Sequence, residues 1–157
     1  MLPKKTTIYS RFFQYHSLFS HERVQQEVAN VDYRKNMTLI GFASKGRHKE
    51  MMAIGSYAEE RQGRAEVAFV VREDYQAQGI GNYLLETLER IAGANGYIGF
   101  IAHVLADNSS MIHLFRKRYP NMRISWSGGD AEILMDFDDT SVGMETWVQD
   151  GTRVSYN

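Results

Sequence analysis

The sequence predicts an α/β domain, of the mixed α+β kind, in which a mostly antiparallel twisted sheet carries a central parallel strand-helix-strand crossover flanked by helices. Three observations point there. The run RAEVAFVV at 64–71 alternates as a strand, with Val67, Phe69 and Val71 on one side and Glu66, Ala68 and Val70 on the other. From Gly81 the apolar period lengthens to that of a helix, placing Leu84, Leu85, Leu88, Ile91 and Ala92 in one stripe. A second apolar run, YIGFIAHVL, follows that helix, and a helix joining two strands of one sheet makes them parallel.

The other elements fall around this unit. Ser20 is a candidate N-cap for a helix over HERVQQEVANV, with Val24 and Val28 on one face and Val31 continuing it. MTLIGFAS and EMMAIGSYAE read as strands joined by KGRHK, whose Gly46 suits a hairpin turn, and Gly63 marks the turn into RAEVAFVV. The striped helix is expected to stop at Gly93 or Gly96. NSSMIHLFRKRY reads as a helix halted by Pro120, and MRISW with AEILMDF as a hairpin about SGGD. One domain over residues 1–139 and a C-terminal extension over 140–157 account for the chain. In the extension Asp150-Gly151 suits a type I′ turn between ETWVQ and TRVSY. That hairpin is expected to cover an open sheet edge or to pair with a second subunit in a homodimer.

Composition removes several classes of function. With 18 basic and 19 acidic residues in 157, there is no global field to draw the chain to nucleic acid or an anionic membrane. The absence of cysteine excludes disulfides, thiolate nucleophiles and cysteine-ligated zinc. MLPKKTTIYSRFF has no apolar stretch of signal length, and no run spans a membrane, so a cytoplasmic location is expected. No metal is expected either. His113 has no second ligand at metal spacing, and DFDD lacks the glycine and terminal glutamate of a calcium loop.

The chemistry gathers at YQAQGIGNYLLET, between the strand and the helix. Exposed amides there, together with the positive end of a helix dipole, suit an anion, and Gly79 and Gly81 would let residues Gln78 to Asn82 wrap phosphate oxygens, with the glutamine side chains as neutral donors. A strand-to-helix turn with glycines for close packing is the alternative. A P-loop requires Gly-Lys-Ser/Thr, and Gly81 is followed by Asn82 and Tyr83. A dinucleotide fingerprint requires a third glycine or alanine at position 84, which is Leu.

Gln76, Gly79 and Gly81 do fill the pattern Arg/Gln-x-x-Gly-x-Gly/Ala, and here the chain resembles the GNAT superfamily of acyl-CoA-dependent N-acetyltransferases. YSRFF, AEVAFVVREDYQAQGIG and AHVLADNSSMIHLF are similar to the acetyltransferase domains of bacterial protein lysine acetyltransferases, including those attached to cyclic-nucleotide-binding modules, acyl-CoA synthetases or acetyl-CoA hydrolase/transferases. The resemblance spans about residues 8 to 137. It implies a GNAT-like sheet, acetyl-CoA as co-substrate, and an amine or protein-lysine acceptor. It also implies that Gln76, Ala77, Gln78, Gly79, Ile80, Gly81 and Asn82 hold the coenzyme A pyrophosphate, that Asn108 contacts the cofactor, and that the strand before the loop pairs with the pantetheine arm.

Attack by an amine on a thioester needs a base, because an unperturbed lysine, with a pKa of about 10.4, is protonated at neutral pH. The resemblance makes Glu66 that base; the residues alone equally allow a sheet-edge glutamate paired with Arg64 or Arg72. A strand amide near Val70 or Val71 is the candidate donor to the thioester oxygen. Many of the resembling enzymes place a tyrosine acid seven residues after the asparagine, where this chain has Phe115. Water, Tyr119 or His113 would then protonate the thiolate. His103 reads as either a cleft residue or a hydrogen-bonded sheet histidine. Two departures stand out: the resembling domains begin with a strand and helix before YSRFF, which suggests a shortened chain or fragment, and YPN replaces their Gly-Phe after the last helix. A non-catalytic acyl-CoA-binding domain of a larger acyl-CoA enzyme is the alternative function.

Overall fold

The computed structural model describes residues 31–139 without a break, together with helical residues Gln25, Gln26 and Ala29 and two short strands farther on. Most of the helix expected after Ser20, and the YSRFF segment, lie outside the described residues. In chain order come β1 (Asn36–Lys45), β2 (His48–Glu59), β3 (Arg64–Val71), α1 (Ile80–Ala94), β4 (Gly99–Leu105), α2 (Ser109–Arg118), β5 (Arg123–Ser127) and β6 (Asp130–Asp136). Strands β7 (Trp147–Gln149) and β8 (Thr152–Val154) follow.

Six strands form one sheet in the order β1-β2-β3-β4-β6-β5, in which β3 and β4 are parallel and the other neighbours antiparallel. The expected crossover is therefore β3-α1-β4. Gly46, at φ 61°, and Gly63, at φ 71°, occupy left-handed positions in the two turns that feed it. Helix α1 runs through Gly93 and stops at Asn95, with Gly96 at φ 93° beyond it and the Tyr97 amide donating to the Ala92 carbonyl at 3.0 Å.

Helices α1 and α2 pack on one face of the sheet. Leu84, Leu85 and Leu88 of α1 and Ile112 and Phe115 of α2 close over Tyr57, Val67, Phe69, Phe100 and Ile133, all buried. Full burial of one such leucine contributes about 1.5–3 kcal/mol. On the opposite face Ile54 packs with Ile40, Ala58, Ala68 and Val70. Farther across that face lies a charged band, in which Arg64 and Arg123 bind Asp136 and Arg61 binds Glu132.

Strands β7 and β8 pair with each other, Gln149 opposite Thr152, which leaves two residues between them. They form a separate two-stranded sheet and add no strand to the six-stranded one. Among the described residues, no helix is long and apolar enough to cross a membrane.

Candidate active site

The site begins where the sheet divides. Strand β3 stays paired with β2 from Ala65 to Val71, and β4 stays paired with β6 from Gly99 to Leu105. Between the two, only Arg64↔Gly99, Ala65↔Phe100 and Glu66↔Ile101 are joined. Beyond Glu66 the strands part around a cavity of about 120 Å³. Val67, Ala68, Phe69 and Val70 form one wall, Ala102, His103 and Val104 the other, and Asn108, Met111 and Phe115 complete it.

Hydrogen-bond alternation decides which amides face this gap. Glu60 N–H donates to the Arg64 carbonyl at 3.0 Å and Arg72 N–H to the Met52 carbonyl at 2.8 Å, in register with the whole β2–β3 ladder. Even-numbered residues of β3 therefore exchange their backbone bonds with β2, while Val67, Phe69 and Val71 turn theirs toward β4. Of the two expected donors, the Val70 amide is committed to Ile54 and only its side chain borders the cavity. Val71 is the one whose N–H looks into the gap.

After β3 a short 3-10 turn, Glu73–Tyr75, leads to the loop. Arg72 fixes this turn. Its guanidinium meets Asp74 at 3.0 Å and Glu50 at 3.2 Å and lies 5.3 Å from the centre of the Tyr75 ring. Hydrogen bonding to Arg72 holds both carboxyl groups below their usual range. Gln76 does not offer its side chain freely, since its amide nitrogen donates to the Val71 carbonyl at 2.8 Å and ties the loop back to the strand end. Ala77 at φ 59° and Gly79 at φ 83° then bend the backbone into left-handed conformations, a strain unusual for alanine.

Gly79 caps α1 without a side-chain bond; its carbonyl receives the Tyr83 amide at 3.0 Å. The amides of Ile80, Gly81 and Asn82 are those of the first turn, which have no carbonyl one turn before them in the helix. Such amides, at the positive end of a helix, suit an anion. The two glycines act differently. Gly79 is needed for its backbone angle, whereas a Cβ on Gly81 would press on the Phe69 ring at 3.4 Å, so close packing also explains that glycine. On the outer side of this loop, Gln78, Gly79 and Tyr83 border a second cavity of about 350 Å³ with Leu39, Gly41 and Met52. Among its described lining residues Tyr83 is the only one with an ionisable side chain.

Glu66 is 3% exposed and lies in an interior strand, which overturns the sheet-edge reading. Arg64 binds Asp136 at 3.1 Å, and Arg72 binds Asp74 and Glu50. Glu66 is the last residue of β3 paired with β4, one residue before the cavity wall. Asn108 caps α2, its Oδ1 accepting the Met111 amide at 3.2 Å, and also borders the cavity. Phe115, 1% exposed, stands edge-on to Phe69 with ring centres 6.0 Å apart.

Neither of the two side chains expected as the acid, Tyr119 and His113, borders the gap. Tyr119 is fully buried and donates to Glu89, which also accepts from Arg118 at 2.7 Å; burial pushes its hydroxyl well above the usual range. It locks α2 to α1, away from the gap. His113 is exposed on α2 and does not border the cavity. His103, expected as a cleft residue or a hydrogen-bonded sheet histidine, does border it, and its Nε2 lies 3.7 Å from Glu132 Oε2, an ion-pair distance. Two residues beyond Ile101, which pairs with Glu66, it shares the sheet face of Glu66. Among the described residues, no group of His, Asp and Glu could hold a metal ion.

The strand pair thus opens beside a glycine loop that leads into a helix. The acetyltransferase (GNAT) family profile matches residues 4–119, and the chain belongs to that family. It is 42% identical over 74 residues to the acetyltransferase Pat of Mycolicibacterium smegmatis, an alignment covering 45% of this chain and 20% of that protein. The chain thus spans only a small part of that relative's length. The GNAT domain of S. lividans PAT superposes with a TM-score of 0.61 at 26% identity, over 75% of this chain and 69% of that one. PaiA N-acetyltransferase from Thermoplasma acidophilum, solved in complex with coenzyme A, has the same fold at a TM-score of 0.63 and 17% identity, covering 82% and 78% of the two chains.

Proposed function

We propose that the chain transfers an acetyl group from acetyl-CoA to a primary amine, with a protein lysine as the acceptor class. The observation that carries this reading is the ending of the β3–β4 ladder at Glu66↔Ile101, which leaves a gap for an extended thioester arm with a buried carboxylate at its closed end. The free amides of residues 80–82 suit the pyrophosphate, with Ala77, Gln78 and Gly79 shaping the loop and Gln76 bracing it. Val71 N–H suits the thioester oxygen, where negative charge develops as the amine adds. Asn108 borders the arm. Glu66 takes the amine proton, directly or through a water.

The lysine acceptor rests on the likeness of AEVAFVVREDYQAQGIG and AHVLADNSSMIHLF to protein lysine acetyltransferase domains. One observation favours a second reading, a domain that binds acyl-CoA without turnover: Phe115 brings no proton to the gap. Thiol release from acetyl-CoA, measured with a panel of lysine peptides and small amines, separates them. Amine-dependent release supports transfer; coenzyme A binding without release supports the binding domain.

A further inference from the structure

Acyl transfer by this route has one proton still to place. When the amine nitrogen bonds to the carbonyl carbon, the C–S bond breaks with its electron pair on sulfur, and the departing thiolate needs a donor. Helix α2 offers none, since Phe115 and Met111 are its contributions to the cavity wall beyond the capping Asn108. One described residue on that wall titrates, and it is His103.

Its placement is specific. His103 stands opposite Glu132 in the β4–β6 ladder, and its imidazole lies 3.7 Å from that carboxylate, whose other oxygen accepts from Arg61 Nη2 at 2.6 Å. A carboxylate that is itself held by a guanidinium thus stands beside the ring. Along β4, His103 follows by two residues the Ile101 that faces Glu66, so it lies roughly 6.6 Å farther into the opening on the same sheet face. Two titratable groups therefore bracket the gap, one at its closed end and one on its wall.

We propose that His103 is the proton donor to the leaving thiolate. This rests on the acetyl-transfer reading above. The ammonium first loses one proton to water; as the neutral amine nitrogen adds to the carbonyl carbon it gives a second to Glu66, the C–S bond breaks, and the His103 imidazolium delivers one proton to the sulfur. Products are the amide and the free thiol, with neutral imidazole and protonated Glu66, and the two groups return to their starting states by exchange with water. Histidine suits the task because it changes charge near neutral pH. The charged groups facing it are Glu132 from β6, Arg61 from the β2–β3 turn, and Glu66 and Arg64 on the same face of β3.

The test measures amine-dependent thiol release by the unaltered chain, His103→Gln and His103→Ala across about pH 6 to 9.5, with coenzyme A affinity and thermal midpoint determined for each. The expected result is a fall in kcat of about 100-fold in both variants, coenzyme A affinity within about twofold, loss of the alkaline limb of the rate profile in His103→Gln, and partial rescue of His103→Ala by added imidazole. A structural role would produce neither the altered limb nor the rescue. Release by His103→Gln within about twofold of the unaltered chain, or loss of the acid limb instead, overturns the proton donor while leaving acetyl transfer intact. No release by the unaltered chain with any amine overturns the transfer reading, and this proposal with it.

Discussion

Glu66 stands directly opposite Ile101, and that pair is the last rung joining the two halves of the sheet. On one side of it the backbone groups of β3 and β4 satisfy each other; on the other they face an opening. Glu66, 3% exposed, therefore sits where the sheet changes from closed to open.

The loop makes the first prediction. Gly79 sits at φ 83°, where a side chain costs about 1–2 kcal/mol. Gly79→Ala should weaken coenzyme A binding by about tenfold, the equivalent of 1.4 kcal/mol, as read by titration calorimetry. Gly81→Val should instead lower the thermal midpoint, because its branches would meet the Phe69 ring.

Tyr119 makes the second. Its hydroxyl donates to Glu89, which also binds Arg118, so Tyr119→Phe leaves a mostly buried carboxylate short of one donor. A loss of about 1–3 kcal/mol in urea unfolding is expected, with kcat for any amine substrate unchanged within about twofold. A large fall in kcat at full stability would make Tyr119 the acid and contradict its role as a clamp.

Core packing provides a third. Leu88 is fully buried between α1 and the sheet, and Leu88→Ala should cost about 2–5 kcal/mol of unfolding free energy. Urea denaturation followed by circular dichroism measures it.

Alkaline pH provides the fourth. Burial, with Glu59 beside it, pushes the Tyr97 hydroxyl from 10.0 up to about 12, and burial raises Tyr119 farther. A raised folded value means that the folded state holds its proton where the unfolded state releases it. The stabilisation is thus fully present below about pH 10 and declines as pH rises above it, through about 12 for Tyr97. Unfolding titrations at pH 9 to 11 should show the decline begin near 10 and shrink in Tyr97→Phe.

Much of this was legible in the sequence because it is written in period. RAEVAFVV coincides with β3, and the change from alternation to a helical stripe at the glycines locates α1. The β3-α1-β4 crossover follows from that order. Less legible were features set by pairing. Alternation says that Val70 and Val71 face opposite ways; only the register with Met52 and Glu60 says which amide is spent on β2. Likewise Gln76 matches the loop pattern as a ligand, yet its side chain braces the Val71 carbonyl, a contact fixed by the turn that Arg72 holds. His103 was visible as a strand histidine, but its place on the wall depends on β4 leaving β3 after Ile101. The left-handed Ala77 had no sequence signal, because alanine seldom adopts that angle.

Amine-dependent thiol release from acetyl-CoA, followed side by side for the unaltered chain and Glu66→Gln, tests the carboxylate at the closed end of the gap most directly. The predicted result is a loss of about 100-fold or more in kcat with coenzyme A affinity and thermal midpoint preserved. Release by Glu66→Gln at the rate of the unaltered chain would contradict it.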